Sequence, residues 1–271
     1  MDIIYLMQKE MLRRRYSPNT IKAYSDCARN FLKHCKKEAR QINKSDVKNY
    51  LDYLAEKPLS PSSLNQSLMA IKFMLEQILN KRWYFIKLPY SKKPDKKPEV
   101  LSKAEIKRLI ESVKNQEHRL MIKLLYSAGL RVGELVKLKV ENLELDKGYG
   151  WVRKGKGNKD RLFIIAESLK DELLEHIQKS GSKWLFKGRN THITTRSVQQ
   201  IVRKAAKNAK INKKIHPHTL RHSFATHLID NGYDVISVQS LLGHSSSETT
   251  MVYVHMASPK IIAVKSPLDS L

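Results

Sequence analysis

Between Ala128 and Tyr253 the chain carries, in one order, four short segments whose side chains suit covalent chemistry. They are Ala128-Gly129-Leu130-Arg131, Gly155-Lys156-Gly157-Asn158, His218-Thr219-Leu220-Arg221 and Leu242-Gly243-His244, with Tyr253 beyond them. Together they offer two guanidiniums, an amine, two imidazoles and a phenol. That inventory suits attack of a tyrosine on a phosphodiester without a metal, which needs a nucleophile, positive charge at the equatorial oxygens and a proton for the leaving oxygen. A planar guanidinium gives a phosphate two parallel hydrogen bonds, so Arg131 and Arg221 fit the task better than lysines would. Arg221 follows His218 by three residues, which puts both on one helical face. Lys156 sits at the tip of a predicted hairpin. An amine there can protonate a leaving oxygen once desolvation or nearby cations lower it from its reference of about 10.4. A phenol titrates at about 10, so Tyr253 needs cations and a base beside it.

Metal chemistry is the competing reading. His218 and His222 are four apart, but Thr219 stands where a zincin motif needs glutamate. His227, His244 and His255 lack a carboxylate or thiol companion at ligand spacing, and no carboxylate cluster suits a metal nuclease. The two cysteines, Cys27 and Cys35, lie eight apart in one predicted helix, too far along it to bridge. With no Cys-x-x-Cys, neither a disulfide framework nor a zinc ribbon is on offer, which fits a reducing compartment. No metal and no cofactor are expected.

The elements that must position these groups fall into two parts. Residues 1–88 read as short helices. Ser17-Pro18-Asn19-Thr20 places a cap before a first-turn proline, followed by Ile21, Tyr24, Ala28, Phe31, Leu32 and Cys35 at helical spacing. A second helix begins at Lys44 or Ser45, with Val47, Tyr50, Leu51 and Leu54 inward. Pro58 and Pro61 break the chain, and Ser62 or Ser63 opens a long helix through Leu79. Residues 89–100 interleave Pro89, Pro94 and Pro98 with Lys92, Lys93, Lys96 and Lys97. Such a run cannot be helical, and it reads as a semi-rigid basic linker able to lie along a phosphate backbone. Residues 101–271 form the second part. The capping box Ser102-Lys103-Ala104-Glu105 opens it, and a buried helix runs to Gly129. Strands are predicted at 143–145, 149–153 and 162–165, with the Gly155–Asp160 turn between the last two. Helices follow, one of them basic from Arg196 to Lys210. The expected fold is mainly α with a small β-sheet.

Charge narrows the partners. Fifty-one Lys and Arg against 26 Asp and Glu give 271 residues a formal net charge of +25, the footprint of a nucleic-acid binder. No apolar stretch approaches the roughly 18 residues that cross a bilayer, and Ile3–Met7 lacks the basic lead-in of a signal peptide. A soluble, cytoplasmic, nucleoid-associated protein with no membrane partner is the expectation.

The order and types of these residues resemble the tyrosine recombinase (integrase) family. The likeness rests on Gly129-Leu130-Arg131-Val132-Gly133-Glu134-Leu135, on Gly155-Lys156-Gly157-Asn158-Lys159-Asp160-Arg161, on the His218-x-x-Arg221 pair, on Leu241-Leu242-Gly243-His244-Ser245, and on the polar run before Tyr253. It covers most of the chain. It implies a helical core-binding domain that clamps DNA and a mixed α/β catalytic domain. It further implies that Arg131, Lys156, His218, Arg221 and His244 are catalytic, that Tyr253 is the nucleophile and that Glu134 orients Arg131. Lys156 is selected over Lys154 and Lys159 by this wording, and His218 becomes the proton acceptor for the tyrosine. The implied reaction passes through a 3′-phosphotyrosyl bond and a Holliday junction on double-stranded DNA bearing an inverted-repeat site. Four protomers would act in the synapse, with a monomer expected off DNA. The apolar tail with Ile261, Ile262, Val264, Leu268 and Leu271 would dock in trans. Compact length and the final residues look most like the Xer recombinases, particularly archaeal ones, whose task is chromosome dimer resolution. Integrases of mobile elements, type IB topoisomerase-like enzymes and non-catalytic DNA-binding proteins on this fold are the alternatives.

Overall fold

Asp2 starts the first helix by accepting the Ile4 N–H at 2.9 Å, and Ile4, Met7 and Met11 recur on the buried face of α1 (Ile3–Arg13). The computed structural model describes residues 2–81, 99–153, 155, 160–243 and 266–270. Ser17 caps α2 (Pro18–Cys35) through the Thr20 N–H at 3.1 Å, and Pro18 occupies the first turn, where its missing donor costs nothing. Cys27 and Cys35 are free thiols on this helix. In α3 (Lys44–Ala55) Asn43 and Asp46 satisfy each other's backbone donors. The next helix differs from the sequence expectation. Pro61 does not break the chain but occupies the first turn of α4 (Pro61–Phe73), with Ser60 as its cap, and the helix continues as a π-turn over Met74–Ile78. A proline suits that position for the reason given at Pro18. Met7, Met11, Phe31, Ile42, Ile71 and Met74 form the centre of this unit's core. Burial also lifts the Tyr50 phenol to about 12, marking it as a packing residue.

The chain divides into two compact units, Met1–Lys96 and Lys97–Leu271. In the second, the Ser102–Glu105 capping box opens α5 (Lys103–Glu111) as expected. α6 (Gln116–Ser127) buries Leu120, Met121, Ile122, Leu124, Leu125, Tyr126 and Ser127, more than one face of a helix. A helix apolar on most sides belongs in the middle of a unit. It packs against α5, α7 (Val132–Val136), α8 (Lys170–Ser180), α9 (Thr195–Asn208) and α10 (Pro217–Asp230). The strands β1 (Leu143–Glu144), β2 (Tyr149–Val152) and β3 (Arg161–Ile164) form one antiparallel sheet in sequence order, with Val152 opposite Arg161. β3 therefore begins one residue before the expected position. Its first residue is a buried arginine whose partners lie inside the unit. Among the described residues, the molecule is mainly α with one small sheet, the fold class expected from the sequence.

The end of the chain returns to this unit. The Ser266 hydroxyl donates to the Ser127 carbonyl at 2.9 Å, and Leu268 packs on the core. The Asp269 carboxylate accepts the Glu167 and Ser168 N–H groups at 3.3 and 3.2 Å, capping the turn that leads into α8. Leu268, expected to dock on a neighbouring protomer, thus packs on its own chain. Ile261, Ile262, Val264 and Leu271 lie outside the described residues. No helix among the described residues is long and apolar enough to cross a membrane.

Candidate active site

The site is organised around the end of a short helix. α11 (Val235–Leu242) stops at Gly243, which adopts φ +60° and closes the helix with a left-handed residue. The last carbonyls of a helix lack intrahelical partners and carry the negative end of its dipole. Three guanidiniums converge on them. Arg161, from β3, donates Nη1–H to the Leu241 carbonyl at 2.6 Å. Arg221, from α10, donates to the Leu242 carbonyl and also to that of Gly129. Arg131, just ahead of α7, donates Nη2–H to the Gly243 carbonyl at 3.2 Å.

Glycine is required at both Gly129 and Gly243. Gly129 has φ +56°, and a Cβ there would stand 2.6 Å from the Phe224 ring. At Gly243 a Cβ would stand 2.6 Å from Arg161 Cδ. Each glycine allows a turn that other residues strain to make, and each turns its carbonyl toward an arginine.

One carboxylate holds the cluster together. Glu134 Oε1 accepts from Arg131 Nη1–H at 2.7 Å, while Oε2 accepts both the Arg131 backbone N–H at 2.9 Å and Arg161 Nη2–H at 2.6 Å. Burial raises the Glu134 pKa, but Arg161 and then Arg131 outweigh it and hold the carboxyl below the usual range. Three guanidiniums against one carboxylate leave the cluster positive. Burial first, then the fields of Arg131 and Arg161, pull Arg221 down to about 9, so it stays protonated at neutral pH. Such a pocket is built to receive an anion.

His218 lies one turn before Arg221 on α10. The neighbouring His216 caps that helix, its Nδ1 accepting the Thr219 N–H at 3.2 Å. Partial desolvation, then the adjacent His216 and His222 rings and Arg221, hold His218 below the ordinary histidine value. It is therefore neutral near pH 7 and able to accept a proton. His218 and Arg131 line one cleft of about 730 Å³, together with Glu134, Trp151, Arg153 and Gly155. Arg221 stands deeper, only 4% exposed.

The structure thus brings together Arg131, Glu134, His218 and Arg221, residues 90 apart in sequence at the extremes (131 to 221). Lys156, His244 and Tyr253 lie outside the described residues, as do Lys92, Lys93, Lys96 and Lys97. Among the described residues, no group of three or more His, Cys, Asp or Glu is placed to hold a metal ion. Two features were not anticipated from the sequence. Arg161 is one, although an arginine at the head of the apolar run Leu162-Phe163-Ile164-Ile165 could have signalled a buried partner. The other is a buried pair, the Tyr126 hydroxyl and His227 Nδ1 at 2.9 Å, which nothing in the local sequence announces.

A mainly helical unit with a three-stranded sheet and an arginine-rich anion pocket matches one family. Residues 99–259 match the phage integrase family, and residues 3–84 match the phage integrase N-terminal SAM-like domain. The chain belongs to this family of tyrosine recombinases, DNA strand-exchange enzymes with a tyrosine nucleophile. It is 35% identical over 270 residues to a putative integrase/recombinase, y4qK, of Sinorhizobium fredii, covering 98% of this chain and 88% of the relative. Xer-named relatives are among its matches. The tyrosine recombinase XerA of Thermococcus kodakarensis is 34% identical over 246 residues, 88% of this chain and 84% of the relative. A crystal structure of the XerH site-specific recombinase bound to palindromic difH substrate superposes with a TM-score of 0.70 at 23% identity, covering 92% of this chain and 79% of that one. At that identity the likeness is one of fold.

Proposed function

We propose that this chain is a site-specific recombinase in which Tyr253 cleaves and rejoins double-stranded DNA. The observation that carries the reading is the convergence of Arg131 and Arg221 at the end of α11, from which the chain runs on to His244 and Tyr253, with His218 lining the cleft that Arg131 faces. In this mechanism a scissile phosphate enters the cleft and takes two non-bridging oxygens to Arg131 and Arg221. Their fixed forks stabilise the charge that develops as phosphorus becomes five-coordinate. The phenol oxygen of Tyr253 attacks phosphorus, and neutral His218 takes its proton. The bond to the 5′ oxygen breaks, and Lys156 supplies the proton that this oxygen needs. Gly155 lines the cleft beside the charged pocket, which supports Lys156 in that role. His244 follows Gly243, the residue gripped by Arg131, and donates a hydrogen bond to the phosphate. The products are a 3′-phosphotyrosyl bond and a free 5′-hydroxyl. The covalent bond conserves the energy of the phosphodiester, so the hydroxyl of a partner strand can reverse the step and exchange strands through a Holliday junction.

The other parts of the chain take their roles from the same reaction. Residues 1–88 clamp the DNA, the linker lysines Lys92, Lys93, Lys96 and Lys97 bind phosphates, and residues 101–271 carry the chemistry. The target is an inverted-repeat site occupied by two protomers, with four in the synapse. The palindromic substrate of XerH supports the two-fold symmetry of such a site. Likeness to Xer-named relatives supports resolution of chromosome dimers as the biological task. Of the apolar tail, Ile261, Ile262 and Val264 make contacts between protomers in the synapse, while Leu268 stays on its own chain.

The test is recombination between two copies of the host's candidate site on one supercoiled plasmid, without ATP. Resolution into two circles is expected. Supercoil relaxation without resolution would instead point to topoisomerase-like action.

A further inference from the structure

Arg161 is a buried charged residue, bonded into the arginine pocket, that the proposed mechanism does not use. Its side chain is 6% exposed, and it is the first residue of β3. The sheet does not need it there, because a strand in an apolar core is better served by valine or isoleucine. Placing a guanidinium in such a position carries a large desolvation cost unless its partners recover it. Its partners are specific. Nη2–H meets Glu134 Oε2 at 2.6 Å, and Nη1–H meets the Leu241 carbonyl at 2.6 Å. Gly243 packs directly on its Cδ, at a distance that excludes any Cβ.

Glu134 in turn has two ligands. Its Oε1 receives Arg131 Nη1–H, and its Oε2 receives the Arg131 backbone N–H beside Arg161. The chain of contacts runs from the end of α11 through Arg161 and Glu134 to Arg131, the guanidinium that opens into the cleft. Arg131 is a side chain with several rotatable bonds, so its fork points one way only if the carboxylate beneath it is both charged and fixed. Arg131 cannot secure that alone. A buried carboxylate recovers its desolvation only when its remaining lone pairs are also hydrogen-bonded, and once protonated it loses part of its capacity to accept. Arg161 supplies the second charge from a side chain that the fold itself holds still.

On the recombinase reading given above, we infer that Arg161 is a positioning residue: through Glu134 it aligns the Arg131 guanidinium with the scissile phosphate. It does not touch the DNA. Its effect on the reaction is therefore confined to the stabilisation of phosphate charge, and this separates it from a residue that only supports the fold.

The experiment uses the full chain and two nicked suicide substrates of the host site. One carries the natural scissile phosphodiester. The other has a methylphosphonate there, a neutral centre whose five-coordinate state carries one negative charge less. Covalent-complex formation is measured for wild type, Arg131→Ala, Arg161→Met and Arg161→Lys, alongside thermal melting and site binding. Arg131→Ala sets the reference, a large loss on the phosphodiester and a small one on the methylphosphonate. Arg161→Met is expected to follow it, losing on the order of 100-fold on the phosphodiester while staying within several-fold of wild type on the neutral substrate. Arg161→Lys keeps a charge beside Glu134 and should recover most of the rate. Should Arg161→Met fail to fold, Arg161→Gln, which retains a donor without charge, takes its place under the same criteria. Equal losses on the two substrates in a folded, DNA-binding variant, or no loss on either, would overturn the inference. Absence of a covalent complex with wild type would overturn the recombinase reading itself, and the inference with it.

Discussion

At the scale of single residues, Glu134 decides whether the pocket is a phosphate site or a set of repelling cations. It is 8% exposed and compensates two arginines at once. Glu134→Gln should therefore destabilise the chain by about 3–5 kcal/mol, the usual cost of leaving a buried charge without its partner, as read from urea unfolding at neutral pH. The pH dependence follows from the sign of the shift. A carboxyl held below its unfolded value, about 4.3, contributes stability that is fully present above that value and is lost as pH falls through the depressed folded one. The gap between wild type and Glu134→Gln should then narrow in acid below about pH 4, as Glu134 takes up its proton. A gap constant from pH 7 to pH 3 would show that folding does not lower the pKa of this carboxyl, and so contradict the ion pairing described for Glu134. The sequence made Arg131, Glu134, His218 and Arg221 legible because each stands in a motif whose wording is local. Arg161 was not legible in that way. Its role depends on partners at Glu134 and Leu241, 27 and 80 residues away, and no local pattern encodes such a meeting.

At the scale of elements, the site depends on how one helix ends. α11 is only eight residues long, and its C-terminus is held by side chains from β3, α10 and the start of α7. Gly243 is what allows them to converge. Gly243→Ala combines positive φ with a clash against Arg161 and should cost about 1–3 kcal/mol, with loss of cleavage beyond what stability explains. Gly133→Ala is the control. It lies inside α7 with nothing within 4 Å of a built Cβ, so removing glycine's backbone freedom should stabilise by up to about 1 kcal/mol. Thermal melts of the two variants should move in opposite directions, and two equal losses would refute this view of the turn. Helix starts were the most readable elements, because caps are local chemistry. Ser17 and Ser102 act as their spacing indicated. The start of α4 was displaced because Pro61 can end one segment or begin another, and only the packing of Leu68, Ile71 and Met74 decides between them.

At the scale of the whole molecule, the net charge of +25 sets the terms of binding to a polyanion. Each phosphate neutralised releases counterions, so the slope of log affinity against log salt reports how many phosphates are engaged. Replacing Lys92, Lys93, Lys96 and Lys97 with glutamine should flatten that slope by roughly 0.9 for each phosphate no longer neutralised. An unchanged slope in filter binding or anisotropy would remove the linker from the interface. Composition alone pointed to nucleic acid, and only the ordered motifs pointed to cleavage, because charge is a global property whereas a mechanism needs particular groups in particular places. The central claim is that Tyr253 is the nucleophile delivered to this arginine pocket. Its most direct test is a nicked duplex carrying the host's candidate site, incubated with wild type or Tyr253→Phe without divalent metal and resolved on a denaturing gel. If Tyr253 is the nucleophile, wild type gives a covalent protein–DNA band that disappears in the phenylalanine variant. A band that persists in the variant would place the nucleophile elsewhere and contradict the claim.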